Sequence, residues 1–469
     1  MLFRSHNLLG QTHFRLGQAE EALASYDRAI QLQPDFADAH GNRANVLVIF
    51  GRFKEALAAF DRALAIRPDS HEDWINRGAL LQDFELFDEA LASYDHAIAL
   101  RPEFAPAHLN RANVLRDLGQ IADARANLNG TPPGTSSFDL ALAAYNKAIA
   151  LDAKLADSFL GRALVYLLRG KWDAGFRDFE FRTKVGKPTF TALPHPSWNG
   201  EPLPGERLVL VAEQGLGDTI NFSRFAPLLA ARGYDVTLMV RPSMRALLSA
   251  LHNVTIVTSP EDLAQDPRPI KWLPLMSVAG QLGIQPETVP ADVPYLSASP
   301  ERIASWGQRL GKDGFKIGIN WVSGHSENLH FTRRNIPLEQ FAPLAALPSV
   351  RLFSLQKGPA AAQAPFVGFG NRITVLATDP NPDADLFLDT AAVMTQLDLI
   401  ITCDTSVAHL AGALARPVYT LLPMVADWRW LLGRDDSPWY PTMRLFRQSA
   451  PGEWSDVIAR IVEAVRAKL

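Results

Sequence analysis

The chain has 469 residues, enough for about three domains of roughly 100 to 200 residues each, and its 46 lysines and arginines face 50 aspartates and glutamates, for a net charge of −4. That balance excludes the basic excess with which a protein tracks a nucleic-acid backbone. A single cysteine, Cys403, excludes an intramolecular disulfide framework and a cysteine-rich zinc site, and it fits a reducing compartment, so a cytoplasmic protein is expected.

In chain order, the opening M-L-F-R-S-H-N-L-L-G lacks the basic, apolar and small-residue regions of an export signal. No apolar run in the chain reaches the ~18 residues that suggest a membrane span. The first 185 or so residues then repeat themselves. Pro34, Pro68 and Pro102 lie 34 apart, each closing a segment such as G-R-F-K-E-A-L-A-A-F-D-R-A-L-A-I-R-P. Ala22, Ala56 and Ala90 recur in phase, as do Tyr26, Phe60 and Tyr94, and Ala29, Ala63 and Ala97. Small residues where two helices cross, with a proline at the end of each unit, form the tetratricopeptide pattern. The unit ending at Pro102 is the fullest, with Trp74, Gly78, Ala90, Tyr94 and Ala97 all in register.

The fourth unit begins in phase at Ala105, but its second helix is written twice, as G-Q-I-A-D-A and as F-D-L-A-L-A-A-Y-N-K-A-I-A-L-D. The turn-rich N-L-N-G-T-P-P-G-T-S-S between them predicts an insertion, about 124–140, looped out of the solenoid. A fifth unit, G-K-W-D-A-G-F-R-D-F-E-F-R, carries larger residues at the second-helix phase and is expected to cap a solenoid over 1–187. Asn42, Asn76 and Asn110 occupy one position of three successive units, and Asn45 and Asn113 another. On the concave face, asparagines both donate to and accept from an extended peptide backbone. The alternative is a row of polar residues on a solvated face.

From about Trp198 short β-rich runs alternate with helical stretches, and a second such series begins at Lys316 with K-I-G-I-N-W-V. The alternation predicts parallel, doubly wound sheets. The polar, proline-rich stretch 285–314 divides them into domains over 198–300 and 315–469. Ligands in this architecture bind at the carboxyl ends of the strands, so a cleft between the two domains is the expected site.

Two turns stand at such strand ends. V-A-E-Q-G-L-G-D-T-I-N-F follows the apolar run Leu208–Leu210, but it lacks the Lys-Ser/Thr of a phosphate loop. Asp218 in it has a plain role open to it, satisfying free N–H groups at the start of a helix. C-D-T-S-V-A-H-L-A-G-A-L follows L-D-L-I-I-T. Its N–H groups, with Thr405, Ser406 and His409, suit a diphosphate without any metal, although Asp404-Thr405 would also serve as an N-cap. Arg333 and Arg334 in H-F-T-R-R-N-I-P, and Lys357 in S-L-Q-K-G, are the cations available to neutralise a leaving diphosphate. D-W-R-W-L-L and D-S-P-W-Y-P would stack a base or sugar, or else pack in a core or at a domain contact. Asp383 and Asp385 sit in N-P-D-A-D, which reads as a solvated turn, and no metal is assigned.

The pair G-L-G-D and D-T-S-V-A-H-L-A-G-A-L resembles the heptosyltransferase-type glycosyltransferases. With A-E-Q-G-L-G-D-T-I, S-L-Q-K-G and D-W-R-W-L-L behind tetratricopeptide repeats, the chain is similar to bacterial repeat-fused glycosyltransferases, among them flagellin-modifying enzymes. The resemblance implies a GT-B fold, two Rossmann-like α/β domains facing a cleft. It implies transfer of a sugar, with inversion, from a nucleotide-sugar to a hydroxyl of a protein acceptor, with no metal or other cofactor. The Gly217-Asp218 turn would face the acceptor with Asp218 as general base, and Thr405, Ser406, Val407 and His409 would hold the donor phosphates. Arg333 or Arg334 would supply the cation, although the loop W-V-S-G-H-S-E-N-L-H-F-T-R-R departs from the lysine those enzymes tend to carry. The asparagine positions resemble the ladder of the eukaryotic protein O-linked N-acetylglucosamine transferase. A non-catalytic adaptor, with an inactive glycosyltransferase-like region, is the competing expectation.

Overall fold

The computed structural model describes residues 1–128, 136–186, 190, 192–323, 333–376 and 387–469. The chain forms two compact units, Met1–Gly119 with Gly134–Val165, and Gln120–Pro133 with Tyr166–Leu469.

The first unit is a stack of helices: α1 (Leu2–Arg15), α2 (Ala19–Leu32), α3 (Ala37–Ile49), α4 (Phe53–Ile66), α5 (His71–Asp83), α6 (Phe87–Leu100), the start of α7 (Ala105–Leu128), α8 (Ser136–Leu151) and most of α9 (Ala156–Leu168). Its recurring residues make recurring contacts. A Cβ on Gly10 would lie 2.6 Å from the Tyr26 ring, and one on Gly78 would lie 2.7 Å from Tyr94, so paired helices meet where glycine faces an aromatic ring. A ring N–H of His40, Trp74 and His108 donates to the carbonyl of Pro34, Pro68 and Pro102 in turn, each at 2.8 Å. Arg43, Arg77 and Arg111 donate through Nε to Asp27, Asp61 and Asp95 at 2.6, 2.8 and 2.6 Å.

The expected looped insertion at 124–140 is instead largely helix, because α7 runs unbroken over 24 residues to Leu128. A-D-A-R-A-N-L is made mostly of good helix formers, and the chain meets the Pro132-Pro133 pair only afterwards. Residues 129–135 of that loop lie outside the described residues. The boundary expected at 187 also moves. The last turns of α7 and the segment from Tyr166, with α10 (Trp172–Phe179), belong to the second unit. Trp172 of the expected cap is fully buried there, with its ring stacked on Trp439 at 5.5 Å and edge-on to Trp428 at 5.8 Å.

The second unit contains two parallel sheets. In the first, β1 (Arg207–Val211) is followed by α11 (Leu216–Phe222) and α12 (Phe225–Ala231), β2 (Asp235–Met239), α13 (Arg245–Leu248), β3 (Val254–Val257), α14 (Pro260–Leu263), β4 (Ile270–Pro274) and α15 (Val278–Gln281). Its strand order is β3-β2-β1-β4. After α16 (Pro300–Leu310) the second sheet holds β5 (Phe315–Asn320), β6 (Val350–Ser354), β7 (Ile373–Val375), β8 (Leu399–Cys403), β9 (Val418–Leu422) and β10 (Met443–Arg447). Their order is β10-β9-β8-β5-β6-β7. Around them run α17 (Ala342–Ala345), α18 (Leu388–Thr395), α19 (Ser406–Ala413) and α20 (Ser455–Arg466).

Every pairing is parallel. Strands β1, β8 and β9 are buried along their whole length, as expected of strands covered on both faces. In each sheet the order reverses beside its first strand, between β1 and β4 and between β5 and β8, and such reversal points are where this architecture opens a crevice. The turns after β1 and β8 start at those two points.

Candidate functional site

The turn after β1 holds its shape through buried polar contacts. Gln214 sits at φ +58, a left-handed conformation that an ordinary residue seldom adopts. Glu213 just before it is buried and paired twice with Arg182, at 3.0 and 2.7 Å, while its Oε1 also accepts from the Met276 amide at 3.0 Å. Gly215 then caps α11, and Asp218 Oδ2 accepts from the Gly215 amide at 2.9 Å. Asp218 therefore does the capping work that its place at a helix start allows. Its other oxygen, Oδ1, accepts from Arg429 Nη2 at 2.5 Å.

The turn after β8 meets it. A Cβ on Gly217 would lie 2.9 Å from His409 Cδ2 and 3.5 Å from the Ser406 amide nitrogen, so only a glycine lets the start of α11 approach the start of α19 this closely. Thr405 is the N-cap of α19: its Oγ1 accepts from the Val407 amide at 3.2 Å and donates to Asn320 Oδ1 at 3.1 Å. Thr402 donates to the same oxygen at 3.1 Å, which ties the ends of β5 and β8 together at the reversal point. Gln356 holds the other side of Asn320. Its Oε1 accepts from Asn320 Nδ2 at 2.7 Å and from the Trp321 and Val322 amides at 3.1 and 2.9 Å.

A cluster of charges surrounds the junction. Arg429, 5% exposed, also donates to Asp427 Oδ1 at 2.9 Å. Burial disfavours its charge, but Asp427 and Asp218 outweigh this and hold its pKa above the usual arginine value. Arg334 Nη1 lies 3.6 Å from Asp404 Oδ2, an oxygen with no hydrogen bond, and burial raises the Asp404 pKa against the pull of Arg334. His409 is buried, stacked on Trp430 at 5.4 Å, and shares a hydrogen bond with the Tyr440 hydroxyl at 3.1 Å. Burial first, and Arg429 second, push its pKa down to about 3, so the imidazole is neutral at ordinary pH.

Arg224 closes the cluster from α12's N-terminal edge. It donates to the Asn221, Trp439 and Pro290 carbonyls at 2.8, 2.6 and 3.0 Å and lies over the Tyr440 ring at 4.6 Å. Asn221 donates to the Tyr440 hydroxyl at 2.9 Å. The last turns of α7 grip the loop that carries Arg429: Gln120 Oε1 accepts from the Ala426 amide at 3.0 Å, and Asp123 Oδ2 accepts from the Gly433 amide at 3.0 Å.

Of the residues singled out in the sequence, Gly217, Asp218, Thr405, Ser406, Val407 and His409 come together, and the half-exposed Arg334 stands beside Asp404. Gly217, expected to face an acceptor, is occupied in packing against His409 and Ser406. Arg333 is half-buried, and Lys357, also half-buried, lies 6.0 Å from the Phe387 ring with its pKa lowered by burial. Trp428, Trp430, Trp439 and Tyr440 are all buried, and Trp439 and Tyr440 meet Phe222 and Asn221 of the first α/β domain, so the structure gives packing and a domain contact for those motifs. Asp383, Asp385 and residues 324–332 lie outside the described residues.

In the repeats, Asn45, Asn76 and Asn110 are half-buried and free of hydrogen bonds among the described residues. Asn42 donates to Asn7 at 3.0 Å. Asn113 differs from its expected role, because its oxygen accepts from Tyr145 at 2.7 Å and from Arg116 at 3.4 Å.

Arg429, Asp427, Arg224, Asn320, Gln356 and Tyr440 were not anticipated as site residues. Most of them meet partners over long sequence separations, up to 219 residues for Asn221 and Tyr440, and no local spacing marks such a pair.

Comparison with known proteins bears most directly on the repeats. A tetratricopeptide-repeat model matches residues 7–71 and 76–130. The N-terminal helices are a tetratricopeptide solenoid. Protein FlbA of Caulobacter vibrioides is 27% identical over 336 residues, and the chain spans about half the length of that curated relative, 55%, with 66% of this chain covered. Among solved structures, pilF of Pseudomonas aeruginosa is 17% identical with a TM-score of 0.35, covering 50% of this chain and 86% of that one. YrrB, described as a TPR protein with an unusual peptide-binding site, is 20% identical with a TM-score of 0.31, covering 38% and 84%. Among the described residues no helix is long and apolar enough to cross a membrane.

Proposed function

We propose that the second unit is a glycosyltransferase of GT-B architecture and that the repeats present a protein acceptor to it. The observation that carries this reading is the meeting of two turns, each at the reversal point of its own parallel sheet, with Gly217 set against Ser406 and His409. Two reversal points that open on one another suit a reaction between two substrates. The donor would lie against α19, where the amides of the first turn, the helix dipole and Arg334 favour a diphosphate. His409, being neutral, would shape this site and bring no charge to it. Asp218, in the facing turn, would take the proton of an acceptor hydroxyl as that oxygen bonds to the anomeric carbon. The bond from that carbon to the phosphate oxygen breaks, and the nucleoside diphosphate leaves with the electron pair. Asn45, Asn76 and Asn110, whose amides make no hydrogen bond among the described residues, lie along the first helices of three units and suit an acceptor held by its peptide backbone.

Incubating the full chain with a panel of labelled nucleotide-sugars and a lysate from which endogenous nucleotides have been removed tests the reading. The expected result is label on protein from one donor only, lost in Asp218→Asn. A folded chain that labels no protein and binds no member of the panel would favour the adaptor reading, in which the repeats bind a partner and the turns are structural.

A further inference from the structure

The carboxylate proposed to accept a proton is already held by a cation. Arg429 donates from Nη2 to Asp218 and from Nη1 to Asp427, while its buried Nε has no hydrogen-bond partner among the described residues. The guanidinium lies over the rings of Phe222 and Trp428 at 5.3 and 4.7 Å, so it is fixed in place with more N–H donors than these two carboxylates use. Asp427 Oδ1 accepts both from the Arg429 guanidinium Nη1, at 2.9 Å, and from the Arg429 backbone amide, at 3.0 Å. That anchor remains if the Asp218 contact is lost. The ion pair also stands beside the first turn of α19, because Gly217 next to Asp218 brings that backbone up to the Ser406 amide.

We infer that Arg429 is a latch on Asp218, opened by an anionic donor: a diphosphate seated at the first turn of α19 competes with the Asp218 carboxylate for the guanidinium. The inference rests on the proposed donor site and adds an order to it. Phosphate oxygens and a carboxylate are rival acceptors for the same planar fork of N–H groups. The carboxylate is therefore tied down while the donor site is empty and is released once the donor is bound. Donor binding precedes acceptor activation, and the charge that the donor brings is what frees the base.

The test is calorimetric binding of UDP, GDP and ADP to the full chain as wild type, Asp218→Asn and Arg429→Lys, with thermal melting to check the fold of each. Asparagine keeps an oxygen for the Gly215 amide and removes the competing charge. Asp218→Asn should bind the preferred diphosphate about tenfold more tightly than wild type, and Arg429→Lys about tenfold more weakly. A purely structural Asp218 gives no tightening. If wild type binds a diphosphate and Asp218→Asn binds it equally or more weakly, the latch is wrong and the donor site stands. If neither wild type nor Asp218→Asn binds any of the three, the donor site is rejected for these nucleotides and the latch with it. Should Arg429→Lys not fold, Asp218→Asn alone decides.

Discussion

The repeats and the candidate site handle charge in opposite ways. In the solenoid Arg43, Arg77 and Arg111 each pair with an aspartate 16 residues earlier, on the partly exposed surface, and the contact recurs with the repeat. At the candidate site Arg429 and Asp218 are 211 residues apart and the pair occurs once, in a cluster with the buried Asp404, with Asp427 and with the half-exposed Arg334. A surface pair of the first kind contributes about 0 to 1 kcal/mol. A buried one is costly to assemble, and removing a single partner leaves an uncompensated charge. The solenoid thus spreads its stability over many small, replaceable contacts, whereas the site concentrates several large ones.

The largest expected effect breaks the site's side of this contrast. Asp218→Asn should lower sugar transfer by roughly 10² to 10⁴-fold, the range for loss of a general base, while its melting temperature stays close to wild type, because Asp427 still pairs with Arg429 and asparagine keeps an oxygen for the Gly215 amide. Transfer at the wild-type rate by the purified variant would remove Asp218 from the chemistry and leave it as a cap. Next comes Arg182→Ala, which strands the buried Glu213 carboxylate just before the glycine turn. A loss of about 3 to 5 kcal/mol is expected in denaturant unfolding. Replacing both partners with methionine should recover most of it, since no buried charge is then left unpaired and the half-exposed Glu180 that Arg182 also holds is solvated.

What could be read in the sequence divides along the same line. The 34-residue period exposed the repeats because each contact is written three times, and a glycine facing a tyrosine or a ring N–H facing a proline carbonyl needs only local register. The apolar strands β1 and β8 stood out for a similar reason, as short buried runs that lead into turns. Strand β4, I-K-W-L-P, escaped notice because a proline ends it and a lysine interrupts it. Strand β10, M-R-L-F-R, was hidden by its two arginines. The two turns were legible, but their partners were not. Arg429 lay inside an aromatic motif that reads as packing, and nothing in the sequence near Asp218 points 211 residues ahead.

Acid should sharpen the comparison further. The folded pKa of His409, about 3, lies below its ordinary value of 6.5. Between those values the unfolded chain binds a proton that the native protein refuses, so the stabilisation is whole above 6.5 and drains away as the pH falls toward 3. Wild type should lose on the order of 1.4 kcal/mol per pH unit below 6.5 relative to His409→Gln, read as the difference in urea midpoints from pH 7 to pH 5. Equal slopes for the two proteins would mean that His409 takes up its proton in the folded state. Gly217→Ala acts at the same junction through volume. With His409 Cδ2 only 2.9 Å from the new methyl and the Ser406 backbone behind it, overpacking should cost about 1 to 3 kcal/mol. Gly233→Ala is the contrasting control, because nothing lies within 4 Å there and only its φ of +91 opposes the methyl.

The smallest effect belongs to the repeats and tests whether their periodic contacts are replaceable as claimed. Trp74 donates to the Pro68 carbonyl from the position that histidine fills at 40 and 108, and it also stacks on His96 at 4.5 Å. Trp74→Phe keeps an aromatic ring but loses the donor, whereas Trp74→His keeps the donor and sacrifices apolar area. If the ring N–H is what the period preserves, Trp74→Phe should cost about 1 kcal/mol through the unpaired carbonyl, and Trp74→His should be the more stable of the two in urea unfolding. The opposite ranking would mean that stacking on His96 outweighs the bond, and that the shared position records the size of a ring and not its N–H. Either way the change should stay within about 1.5 kcal/mol, because a contact repeated along the stack is one of many, while the Asp218 and Arg182 contacts have no second copy.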